Sequence, residues 1–232
     1  MVFGFWCCRR NQNKAYSVSI IMFYSILDTT RKALLPLLAA FQKEGFYLAG
    51  GTGLALQIGH RDSVDFDFFR GESFDTNKLF EKVRTIFAGH DLEKIQDADQ
   101  TLSLLVDKTV RISFFSYPYK LIENSSRDDY FIFASIADIG CMKLSSITGR
   151  ASNKDYVDIY FILHNIRLAE LLEKTKVKFP ELNNASILKG LVYFDDIAQE
   201  PLKFTEGREV DFDTVKTYLE GEVKKYYQGI LA

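Results

Sequence analysis

"GGTGLALQIGHRDSVDFDFFR", Gly50–Arg70, is the stretch on which the reading of this chain turns. Phe46–Ala49 just before it has the character of a short buried strand, which Gly50-Gly51 end. Paired glycines carry no Cβ, so the backbone there can approach a ligand closely. Thr52 is placed to cap a brief helix that carries Leu54, Ala55 and Ile58 and closes at Gly59. The N-terminus of such a helix offers free N–H donors and a positive dipole end, a seat for phosphate. A Gly-Gly turn before a helix is commonplace, however, and alone it specifies little.

"VDFDFF" follows as a second strand. Side chains alternate along a strand, so Asp65 and Asp67 share one face while Phe66 and Phe68 take the other. The phenylalanines need a core, which leaves the aspartates facing a cleft or solvent. Two carboxylates this close repel one another unless a divalent cation sits between them. A lone Asp-x-Asp is equally well explained by a solvated edge strand. Phosphate donors followed closely by such a pair are more specific. That is the layout in which Mg²⁺ bridges triphosphate oxygens for in-line attack at the α-phosphorus.

The rest of the chain supplies a frame for these elements. "MFYSILDTTRKALLPLLAAF" reads as a helix and its entry, with Pro36 as a kink or a start. Asp75 caps an amphipathic helix carrying Leu79, Val83, Ile86 and Phe87. Strands are expected at about 92–97, 101–106, 109–116 and 130–133, the middle two joined by an Asp107-Lys108 turn. From Ser135 onward the pattern is helical, at about 135–149, 152–167, 168–175, 184–194 and 212–229. This predicts an α+β fold, a mixed sheet flanked by helices followed by a mainly helical region. The expected divisions are an N-terminal extension (1–21), an α/β unit (22–134) and a helical unit completing the site (135–232).

Two helical positions are unusual. Lys143 falls within the apolar face formed by Ile136, Ile139, Leu144 and Ile147, which is costly unless its ammonium reaches an anion. Snorkelling to the surface is the alternative. Ser152 and Asp155 form a Ser-x-x-Asp cap, yet Asp155 also lies beside Ile159 and Ile162. Asp158 sits at the margin of that face, with Lys154 spaced to pair with it.

"LAGGTGLALQIGHRDSVDFDFF" resembles the signature of the AbiEii-type nucleotidyltransferases, a family that includes toxins of bacterial toxin–antitoxin systems. There a Gly-Gly-Thr precedes an apolar turn, Gly-His-Arg, a Ser and Asp-x-Asp, and every position is matched here, including His60, Arg61 and Ser63. "MKLSSITGRASNKDYVDIYFI" resembles the family's later motifs. The resemblance implies an Mg²⁺-dependent enzyme that moves a nucleotidyl group from an NTP to an RNA or protein acceptor, with an antitoxin as partner. Gly50, Gly51, Thr52, Arg61, Ser63, Lys143 and Lys154 would bind the nucleotide, and Asp65 and Asp67 would hold the metal. Asp155 would complete the catalytic set, while Arg150 and Asp158 would support it or fix the helix.

One departure matters. Nucleotidyltransferases commonly carry a third carboxylate on a later strand, and here "VRISFF" offers Ser113 at that place. Either Asp155 takes the role, or one metal suffices, or turnover is impaired and the chain is a degenerate nucleotide-binding module.

Composition limits the wider options. With 29 basic and 31 acidic residues the net charge is −2, against a globally electropositive nucleic-acid binder but not against a local basic channel. No apolar run reaches the roughly 18 residues of a membrane span. The three cysteines show no metal or disulfide spacing, and the chain reads as cytoplasmic without a membrane partner.

Overall fold

A computed structural model describes residues 22–231, so the expected N-terminal extension lies outside the described residues. Helix α1 (Thr29–Leu38) starts at Asp28, whose carboxylate accepts the Arg31 N–H, and runs through Pro36 into a 3₁₀ segment, Ala39–Glu44. Then come β1 (Tyr47–Ala49), α2 (Gly50–Ile58), β2 (Phe66–Arg70) and α3 (Thr76–Ile86). Asp75 caps α3 as expected, accepting the N–H groups of Asn77 and Lys78. Three strands follow, β3 (Leu92–Ala98), β4 (Thr101–Val106) and β5 (Val110–Ser116). The β4–β5 turn puts Asp107 and Lys108 at positive φ (48° and 58°), the primed geometry that suits a tight hairpin. The strand expected at 130–133 is instead two short pieces, β6 (Ser126–Arg127) and β7 (Ile132–Phe133), because Asp128 turns the chain by accepting the N–H groups of Tyr130 and Phe131. Helices α4 (Ile136–Ser146), α5 (Asn153–Leu163), α6 (Leu168–Lys178), α7 (Asn184–Leu191) and α8 (Phe212–Leu231) complete the chain.

The seven strands form one mixed sheet in the order β3-β4-β5-β2-β1-β7-β6. β2 runs antiparallel to β1 and parallel to β5, with Asp67 beside Ser113 and Phe68 beside Phe114. On one face Phe66, Phe68, Leu102, Leu104, Ile112 and Phe114 pack with Leu34, Leu38 and Phe41 of the N-terminal helical segment and Val83 of α3. Each large side chain buried there contributes about 1.5–3 kcal/mol. A second core lies among α4–α8, reaches the sheet through Tyr47 and Ala49 of β1 and includes Leu54 of α2. The opposite face of β2 and β5 therefore carries Asp67, Phe69, Arg111, Ser113 and Phe115. Among the described residues no helix is long and apolar enough to cross a membrane.

A buried ion pair fastens the β5–β6 connection to the helical core. Lys178 Nζ lies 2.7 Å from Asp138 Oδ1, both side chains fully buried. Asp138 also accepts the Ile122 and Glu123 N–H groups, and Lys178 donates to the Lys120 carbonyl. Removing one partner of a buried pair strands the other charge at a cost of about 3–5 kcal/mol. Asp138→Ala is expected to lower urea stability by that amount. The double variant Asp138→Asn/Lys178→Met should recover most of it, and equal losses in both would refute the pairing argument.

Candidate active site

The chain enters α2 at Gly50 with φ of 64°, a left-handed value that glycine alone adopts freely. Space imposes the same choice, since a Cβ on Gly50 would lie 2.7 Å from Asp67 Oδ2, and one on Gly51 2.6 Å from Arg61 Nη2. The glycines thus bring the helix start directly against the second aspartate. Thr52 is not the cap expected from sequence. The helix begins at Gly50 with Ala49 as its uncapped boundary, so its first N–H groups carry no side-chain cap. Buried Thr52 instead donates to the carbonyl of Asp65 and touches Ser63 Oγ (2.7 Å), fixing the approach to β2.

Asp65 and Asp67 line a cleft of about 860 Å³ whose walls come from both halves of the chain. Burial, then the charge of Asp65, pushes the Asp67 carboxyl up to about 6, although Lys143, Arg111 and Arg150 pull the other way. Such a pair is poorly satisfied by protein alone and suited to a divalent cation bound together with anionic oxygens. Ser113, the neighbour of Asp67 in register, is buried and hydrogen-bonded at 3.1 Å to Ser103 Oγ, so β5 supplies no third carboxylate there.

Behind the cleft sits Asp158. Sequence spacing put it at a helix margin paired with Lys154, but it is fully buried, and Lys154 pairs with Glu200 (2.9 Å). The local spacing rule loses because stronger, distant partners claim the carboxylate. Arg61 donates through Nε (2.7 Å) and Nη2 (2.9 Å), His60 Nε2 lies 2.8 Å away, and Lys143 Nζ lies 2.7 Å from the other oxygen. Burial works to raise the Asp158 carboxyl, but these charges and hydrogen bonds outweigh it and hold it well below the carboxylate range. Burial also lowers the His60 pKa. Its neutral ring donates from Nε2, while Nδ1 has no partner among the described residues.

The remaining expected residues divide around this cluster. Arg61 is committed to Asp158 and, through Nη1, to the Asp62 carbonyl, so it backs Gly51 rather than reaching outward. Lys143 bridges Asp158 and Asp155 (2.8 Å) at the cleft wall. Asp155 completes a capping box with Ser152 and also faces the cleft. Arg111, Phe115, Glu200 and Lys203, all cleft residues, belong to no sequence motif, and neither does the central place of Asp158. Only Arg111 and Phe115 carried a signal, since each lies two positions from Ser113 and therefore on its face.

The family profile described as "Nucleotidyl transferase AbiEii toxin, Type IV TA system" matches residues 32–229. The chain belongs to that family. An AbiEii-family chain is a nucleotidyltransferase, and the family's description puts it among toxins of toxin–antitoxin systems. An uncharacterized protein of Aquifex aeolicus, aq_aa25, is 35% identical over 193 residues, 79% of this chain and 89% of that one. MenT4, a nucleotidyltransferase toxin of Mycobacterium tuberculosis, shares the fold with a TM-score of 0.57 at 14% identity, over 83% of this chain and 80% of its own. JHP933 of Helicobacter pylori superposes with a TM-score of 0.56 at 15% identity, over 90% and 94% respectively. The mixed sheet with its helical C-terminal region is thus the fold this chain shares with these solved structures.

The raised Asp67 pKa has a signed consequence in metal-free protein. A group whose folded pKa (about 6) exceeds its ordinary value of 3.8 stabilises the fold while protonated. That contribution is full below about pH 4, shrinks as pH rises, and is gone above about pH 6. Asp67→Asn should therefore gain roughly 1–3 kcal/mol over wild type at pH 7 and nothing at pH 4. Urea titrations with EDTA across this range check it, and a difference independent of pH would contradict it.

Proposed function

We propose that the cleft binds an Mg-NTP and transfers its nucleotidyl group to an RNA or protein acceptor, the chain acting as the toxin partner of an antitoxin. The contact of Gly50 with Asp67 carries this reading, because it puts uncapped helix donors beside the carboxylate pair. Residues 22–134 would supply these groups, and 135–232 the opposing wall.

In this scheme the first N–H groups of α2 receive the terminal phosphates, and Gly51 and Thr52 shape that seat. Asp65 and Asp67 hold Mg²⁺. When bound, the ion neutralises triphosphate charge and polarises the α-phosphoryl group. Lys143 adds positive charge at the cleft wall, kept ionised by its two carboxylates despite the opposing effect of burial. Arg61 and Ser63 hold the phosphate seat in shape, and Lys154 with Glu200 forms the rim. The acceptor oxygen forms a new bond to the α-phosphorus as the bond to the bridging oxygen breaks, releasing pyrophosphate. Asp155, on the wall facing the aspartate pair, orients the acceptor and takes its proton, the task left open by Ser113.

Incubation with labelled NTPs, Mg²⁺ and total cellular RNA or protein tests the activity, and thermal shift tests binding. Mg-NTP should raise the wild-type melting temperature, because only the folded state binds. Asp67→Asn should abolish that rise. Asp155→Asn should keep most of it while losing transfer at least a hundredfold. Full activity in Asp155→Asn would reduce Asp155 to a helix cap, for which Asn substitutes well. A wild type that binds Mg-NTP yet stays silent with every acceptor, and gains activity on Ser113→Asp, would identify a degenerate enzyme.

A further inference from the structure

Phe115 is the one aromatic side chain lining the cleft among the described residues. It is neither core nor surface but half-buried, standing on the same sheet face as Asp67 and Ser113. Behind it the aromatic rings continue. Phe115 stacks on Phe69 (centroids 5.0 Å apart, planes at 26°), and Phe69 stacks on Tyr47 (6.0 Å, 23°). This row crosses β5, β2 and β1 and ends at the cleft. On the other side of Phe115 the registered neighbour is Thr101 of β4, paired in turn with Ala98 of β3. No aromatic ring continues the row on that side, where the registered side chains are the small Thr101 and Ala98.

Position along the sheet adds a direction. Crossing from β1 to β5, the cleft presents the start of α2 with Gly50, then the carboxylate pair, then β5. Phe115 lies two residues beyond Ser113, roughly 7 Å along the strand. Phosphates seated at α2 with the α-phosphorus at Asp65 and Asp67 would bring the nucleoside toward β5 and Phe115.

We propose that Phe115 is the stacking platform for a nucleobase of the substrate, the base of the bound NTP. This rests on reading the cleft as an Mg-NTP site. The row behind Phe115 fixes its plane, so little ordering cost remains when a base stacks on it. Every base has a π-face, so the platform raises affinity for all four nucleotides with only a modest preference for the larger purines.

The experiment compares Mg-NTP with Mg-tripolyphosphate, which has the charge of the triphosphate but no base, by calorimetric titration of wild type and variants. Phe115→Leu keeps apolar bulk and removes the ring. It should weaken Mg-NTP about five- to twentyfold while leaving Mg-tripolyphosphate within twofold, and Phe115→Trp should restore or tighten Mg-NTP. A structural role would move both ligands together, and that result would overturn the proposal. A mixed-sequence single-stranded oligonucleotide tests the other source of a base. Loss of oligonucleotide affinity alone would overturn the assignment to the NTP base and point to a polynucleotide instead. No loss with either base-containing ligand overturns it. If wild type binds neither Mg-NTP nor Mg-tripolyphosphate, the reading of the cleft falls, and this proposal with it. If both bind wild type equally, only the platform fails.

Discussion

Everything around the cleft depends on one buried carboxylate. Asp158, on α5, takes hydrogen bonds or ion pairs from Arg61, His60 and Lys143, three side chains from the α2–β2 connection and α4. In a low-dielectric interior such a cluster is stable only when its charges balance and its lone pairs are filled. Two cations face Asp158 and Asp155, with His60 neutral, so the balance holds. The geometry follows from this demand: the loop before Asp65 cannot drift while Arg61 is forked onto a helix nearly a hundred residues away.

That anchoring explains how a strained arrangement survives beside it. An uncapped helix start and two neighbouring acids are each unfavourable locally, and Gly50 is the residue that lets the backbone bring them together. They persist because Thr52, Ser63 and Arg61 fix the backbone on either side, leaving the acids no room to separate. Proteins keep such local costs where a ligand repays them. Ser113 is the counterpoint, a quiet hydrogen-bonded hydroxyl next to Asp67 where another charge would have added to the repulsion.

Much of this was legible in the sequence where local rules govern. The Asp75 cap, the Gly59 stop, the Asp107-Lys108 hairpin and the face shared by Asp65 and Asp67 all follow from period and turn chemistry. The readings that failed were those where distant partners outvote neighbours. Lys154 and Asp158 have ideal helical spacing, but spacing cannot reveal that Arg61 and His60 arrive from another element. Thr52 looks like a cap because it follows two glycines, yet its hydroxyl is drawn to Ser63 and the carbonyl of Asp65. The wall residues Glu200 and Lys203 sit in a segment without period, so nothing local marks them.

That segment has a consequence in time. Ala198 pairs with Ser152, Phe204 bridges Arg61, and the Lys203 carbonyl accepts the Asp62 N–H, so the far wall is laid against the signature loop by residues more than 130 positions after the aspartate pair. Chains emerge from the ribosome at about 5–20 residues per second. Roughly 7 to 28 seconds therefore separate synthesis of the aspartate pair from that of the wall. During that interval the nascent polypeptide carries its acids and glycines without an enclosed cleft around them.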